Sequence, residues 1–299
     1  MAKKRRRNKN SRPSHKQPQL PQTPTDELLE RVDNYAENID QELQAALPLL
    51  SKIKADRLPG TARDLADIDI TATRLGRMLQ LLRGSRTLVR LYLGTAIAPV
   101  VRSMWETWFN TAWMLHDPQQ RMQRATDFWV SGVAQQLGML HTFLARDGYL
   151  VPAYQDAMND LEKTVKGEPH LYKLWFHEDA QPKKSVHAIK SFVPDFRTRA
   201  QQMGPMYERS YDLDYTLLSI VSHGAGAELP RLMEENPEET RIFVGEGRDA
   251  AINYFLIGCG TALTLIYEIQ HAYLGGHTPR FDTLREQAEK LREECPSIL

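Results

Sequence analysis

The sequence predicts an all-α protein, a single multi-helix bundle preceded by a disordered basic N-terminal tail. Three observations predict it. From residue 25 onward, apolar residues recur three or four apart, the period of a helix face. Alternating apolar and polar runs are scarce, and no strand-turn-strand signature is present. The first 24 residues carry Lys3, Lys4, Arg5, Arg6, Arg7, Lys9, Arg12 and Lys16, no acid and almost nothing apolar. A segment of that composition cannot bury enough surface to offset the entropy of ordering it. The expected organisation is a tail over 1–24 and one helical domain over 25–299, with no internal repeat of fixed period.

The elements follow in order. TDELLERVDNYAENIDQELQAALPLL opens with a Thr or Asp cap and acids in its first turn. It then places Leu28, Val32, Tyr35, Ile39 and Leu43 three or four apart. Pro48 and Pro59-Gly60 break the pattern, and TARDLADIDITATRLGRMLQLLRG begins a second helix. In the third block, RTLVRLYLGTAIAPVVRSMWETWFNTAWMLHDP, Pro99 kinks or interrupts the helix and Pro118 follows its end. From Val100 to Leu115 this block is apolar on most sides, the mark of a central helix. A fourth helix covers about 119–145. Residues 146–194 mix Pro, Gly and Lys with short apolar pieces and read as a long connection with one or two short helices. Helices are expected again near 195–208, 211–226, 248–273 and 279–293. The five tryptophans read as core residues.

Composition narrows the class. Hydrophobic residues make up 41% and charged residues 25%, as in an ordinary soluble globular protein. The formal net charge of zero conceals a segregation: removing the tail's eight cations from 38 Lys and Arg leaves 30, against 38 acids. A tail of eight positive charges thus precedes a body with eight excess negative ones. Two cysteines, Cys259 and Cys295, are too few for a disulfide framework or a four-cysteine zinc site, and a reducing, cytoplasmic setting is expected. The basic start leads into polar residues, so no secretory signal is expected. The apolar run 250–267 is nearly long enough to span a bilayer, but Asn253 and the polar residues after Tyr267 favour a buried central helix.

Chemistry-bearing residues cluster in two segments. In YTLLSIVSH, Tyr215, Ser219 and His223 are four apart and lie along one helix face, with Leu217, Leu218, Ile220 and Val221 on the other sides. In RSMWE, Arg102 and Glu106 share a face among Met104, Trp105, Trp108 and Phe109. Buried hydroxyls and an imidazole need partners from another helix, and the Arg–Glu pair supplies them. One reading is a buried interhelical network that fixes helix register. The alternative is a hydrolase or nuclease in which His223 exchanges a proton near neutral pH with Glu106 and Arg102, with or without a metal. A metal site is not predicted. EIQH places Glu268 and His271 at the Glu-x-x-His spacing of di-iron bundles, but no second copy accompanies it. No cofactor is implied. GEGRDA lacks the Gly-Lys-Ser/Thr ending of a phosphate loop and reads as a helix start.

APVVRSMWETW followed by YTLLSIVSHGAG resembles, in order and spacing, a prokaryotic all-helical family catalogued as domain of unknown function five-six-seven-seven. The resemblance covers roughly residues 60–275 and singles out Arg102, Glu106, Tyr215, Ser219 and His223. It implies a helical fold and no established activity. The tail lies outside it. There, Lys3, Lys4, Arg5, Arg6, Arg7 and Lys9 are suited to neutralising phosphates, so RNA or DNA is the expected partner. A membrane span is not expected, and a homo-oligomer is compatible with the sequence.

Overall fold

The protein is described by a computed structural model covering residues 26–58, 65–146, 193–222, 233–236, 239–242 and 248–295, with scattered positions between 152 and 163. The chain is an all-α bundle. Its first half comprises α1 (Asp26–Asp56), α2 (Ala66–Arg90), α3 (Gly94–His116) and α4 (Arg121–Arg146). From residue 193 onward come α5 (Phe196–Met203), α6 (Pro205–Ser210), a π turn (Tyr211–Tyr215) and α7 (Thr216–Ser222). Two long elements close the bundle, α8 (Arg248–Leu274) and α9 (Pro279–Glu294).

Several boundaries differ from the sequence reading. Helix α1 runs straight through Pro48. A proline inside a helix costs about 3 kcal/mol, but Leu43, Ala46 and Leu50 are buried on either side of it and outweigh that cost. Helix α3 likewise contains Pro99 in its second turn, where the Ser103 hydroxyl donates to the Pro99 carbonyl at 3.0 Å. Residues 86–90, assigned by apolar pattern to the third block, instead end α2. The reversal into α3 is made by Tyr92 in the left-handed region, at φ 55°. A short antiparallel hairpin, β1 (Met233–Asn236) and β2 (Glu239–Ile242), pairs Met233 with Ile242, against the expectation of no such signature. MEEN and ETRI have no alternating apolar face, so period-two hydrophobicity had nothing to mark.

The core is built around α3 and α8, which pack chiefly on each other, with α2 and α1 completing the layer. Helix α3 buries Val101, Met104, Trp105, Phe109 and Ala112. Helix α8 buries Ala251, Tyr254, Phe255, Cys259, Ala262 and Ile266. Each large side chain of this kind contributes roughly 1.5–3 kcal/mol by leaving water. The two helices approach so closely at Gly258 that a Cβ there would sit 3.1 Å from Val101 Cγ2 and 3.2 Å from Met104 Sδ. Among the described residues, α8 is long and apolar enough to cross a membrane, and 67% of its apolar window is buried inside the bundle. Trp105, Trp108 and Trp113 are core residues as expected. Trp129 is not: it is 39% exposed on α4. Trp175 lies outside the described residues.

Helix α1 is fastened to α2 by a row of ion pairs. Arg57 reaches the buried Asp67 at 2.9 Å, and Lys54 reaches Asp69 at 2.6 Å. Further along, Arg83 pairs with the buried Asp40 at 2.6 Å, Arg86 bridges Asp33 and Glu37, and Arg90 also meets Asp33 at 2.6 Å. Helix α9 is tied to α1 through Arg31–Glu294 and Arg280–Glu42.

Candidate functional site

The site grows from the middle of α3. Because α3 carries Arg102 and Glu106 one turn apart, Arg102 Nε donates to Glu106 Oε1 at 3.1 Å. The same guanidinium donates through Nη2 to the Tyr215 hydroxyl at 3.2 Å and lies 5.2 Å from the Tyr215 ring centroid. The two distant segments therefore do meet. They meet at a half-buried rim, not in the interior: the Arg102 and Glu106 side chains are 20% and 34% exposed.

Local chemistry explains how Tyr215 arrives there. Asp195 caps α5 by accepting from the Thr198 amide at 2.9 Å. Gly204, at φ 102°, turns the chain in a region that a side chain would resist, and Pro205 starts α6 at its first position. The π turn then carries Tyr211 and Tyr215 over Trp105. Trp105 stacks 4.5 Å from Phe109 and lies 4.8 Å from Tyr215. Its indole N–H donates to Ser210 Oγ at 2.9 Å, and Ser210 in turn donates to Asp214 at 2.8 Å. The polar rim thus rests on an aromatic floor whose own N–H is satisfied.

The remaining residues of the expected network are placed differently. Ser219 is half-buried, and its side chain makes no hydrogen bond among the described residues. Helix α7 buries Leu218 and Val221 but leaves Ile220 37% exposed, so it covers the core with one side only. Its apolar residues suggest a substantially buried helix, but it packs on α3 through the side that carries Leu218 and Val221 and turns Ile220 to solvent. His223 and the tail residues Lys3, Lys4, Arg5, Arg6, Arg7 and Lys9 lie outside the described residues.

Two arginines that sequence reading missed complete the surroundings. Arg199 is only 4% exposed, donates through Nη1 to Asn110 Oδ1, and lies 4.3 Å from the Phe196 ring centroid. Burial pulls its guanidinium down to about 10, against the opposing charge of Asp195. Arg74, on α2, is lowered in the same direction, by burial first and then by the neighbouring charge of Arg77. Glu106 acts favourably on Arg74 and Arg199 as well as pairing with Arg102. The only available sequence signal was the Asp195–Thr198 cap, which locates α5 but does not turn Arg199 inward.

A second polar pair ties α6 to α8. The Tyr207 hydroxyl donates to Glu268 Oε1 at 2.6 Å, both residues being buried. Burial raises the Glu268 carboxyl above its ordinary range, while the Tyr207 hydrogen bond acts the other way. His271, by contrast, is exposed and stacks on Tyr267 at 5.7 Å. Among the described residues, no three His, Cys, Asp or Glu side chains gather as a metal-holding group.

Residues 69–240 match a family whose description is "Family of unknown function (DUF5677)". The chain belongs to this family. The match to DUF5677 spans more than half of the chain and includes Arg102, Glu106, Tyr215 and Ser219. It is narrower than the resemblance over 60–275, leaving α1, α8 and α9 outside it. No curated protein and no solved structure matches the chain.

Proposed function

We propose that the protein is a non-catalytic, cytoplasmic, nucleic-acid-associated member of the DUF5677 family. In this reading the N-terminal tail supplies the contact and the bundle supplies a rigid body. Charge segregation carries the proposal: eight cations without an acid in residues 1–24, ahead of a body with eight excess acids. Such a segment neutralises phosphates and releases counterions, so its binding to RNA or DNA is independent of sequence and weakens steeply with salt. No aromatic residue interleaves the tail, which leaves charge alone as the recognition. The Arg102–Glu106–Tyr215 contacts support a fastening role, since they bridge α3 to the end of the π turn over a packed aromatic floor.

The test is retention on immobilised RNA and DNA across a salt series. Deleting residues 2–16 is expected to abolish the salt-sensitive retention, while Glu106→Gln leaves it intact. Undiminished retention after the deletion would defeat the proposal. So would nuclease activity that disappears in a folded Glu106→Gln variant, because it would move the function from the tail to the site.

A further inference from the structure

We propose that the open groove between α2 and α4 binds a small phosphate-bearing molecule with a flat ring, of the nucleotide class. The groove is open to solvent along its length and offers about 750 Å³, room enough for a small ligand. One wall is a single face of α2 that carries Arg74 and Arg77, and the other is the face of α4 that carries Trp129, Gln135 and Gln136.

The electrostatics of α2 change along its length. Arg83, Arg86 and Arg90 each meet a carboxylate of α1. Arg74 and Arg77 have no carboxylate partner within ion-pair distance among the described residues, and both line the groove. Asp69, the acid on the groove wall, is already held by Lys54 at 2.6 Å. Glu106 reaches Arg74 only through its field, its own ion pair being with Arg102. Two neighbouring guanidiniums, one of them sunk against the Phe128 ring at 5.7 Å, therefore line the groove without a carboxylate paired to either. Arginine pairs of this kind suit phosphate oxygens, which accept several directed N–H donors at once.

The rest of the groove favours a ring beside the phosphate. Trp129 is 39% exposed and lines it, offering a stacking face. The exposed amides of Gln135 and Gln136 provide both donors and acceptors for a ring edge. At Gly132, between these side chains on α4, an added Cβ would meet nothing within 4 Å. The space is open down to the helix backbone.

The test uses the full-length chain and titrates it into mant-ATP, a fluorescent adenosine triphosphate analogue. Unlabelled ATP, adenosine and inorganic phosphate serve as separate competitors. Saturable binding displaced by ATP, and only weakly by adenosine or phosphate alone, is expected. Arg77→Gln, an exposed position, should weaken it about tenfold. Gly132→Leu should fill the groove and abolish binding without lowering the melting temperature. Three results would overturn the proposal: no saturation up to about 1 mM, displacement by phosphate as effective as by ATP, or undiminished binding in both variants. The last would place the signal outside the groove, whereas the retention experiment with residues 2–16 deleted reads the tail alone, so the two proposals fail separately.

Discussion

Two regions of the bundle, the α1–α2 seam and the cluster of α3, α4 and α5, hold arginine in opposite ways. Toward α1, arginine is matched acid by acid: Arg57 with Asp67, Arg83 with Asp40, Arg86 with Asp33 and Glu37. Around α3, α4 and α5, arginine is laid over rings: Arg74 of α2 on Phe128, Arg199 on Phe196, Arg124 on Trp113 at 4.7 Å, with Arg102 over Tyr215. A weakly hydrated planar cation tolerates both settings, whereas an ammonium would lose the stacked one. The first arrangement depends on pH and salt. The second depends on shape.

The largest expected effect tests the stacked side. Arg199→Ala should cost about 3 kcal/mol in chemical denaturation, because it empties a packed aromatic site. Arg199→Met, which keeps the stem, should lose no more than about 1 kcal/mol. Equal losses in both would break the comparison by showing that charge, not shape, governs this face. Next comes the paired side. Arg83→Met leaves the buried Asp40 carboxylate with Gln44 alone and should cost about 2 kcal/mol at neutral pH.

Acid should sharpen the same contrast. Arg83 holds the Asp40 carboxyl below its ordinary range, against burial and with help from Gln44. At Asp33 burial pushes upward, and Arg86 and Arg90 outweigh it to leave a lowered value. Carboxyls lowered in the folded state contribute fully above the unfolded value near ~4, and the contribution is lost as pH falls through the folded values. Thermal melts from about pH 5 to about pH 2 should therefore fall, and less steeply in Asp40→Asn. The smallest effects belong to the rim. Tyr215→Phe, which removes the hydroxyl that accepts from Arg102, should cost about 1 kcal/mol by equilibrium denaturation. Ser219→Ala should stay within about 0.5 kcal/mol.

Much of this was legible because helix periodicity is local. Leu28, Val32, Tyr35, Ile39 and Leu43 are buried as their spacing requires, and Arg102 and Tyr215 do meet across more than 100 residues. Depth was not legible. The i, i+4 rule places Arg102 and Glu106 on one face but does not say that this face ends at a half-open rim. Nor does hydrophobicity distinguish Trp129 from Trp105, since only the separation of α2 and α4 leaves the former uncovered. Arg74 and Arg199 were invisible for a related reason. A buried arginine over an aromatic ring follows no linear motif, and its partners come from three helices.

The place of α8 in the chain has a consequence for biosynthesis. The helix that covers α3 is specified by residues 248–274, so α1, α2 and α3 leave the ribosome long before their cover exists. Until then the apolar seam around Val101 and Met104 lacks the helix that buries it, the kind of exposed surface that makes partly folded chains prone to aggregate. A chain ending before residue 248 would lack that cover altogether.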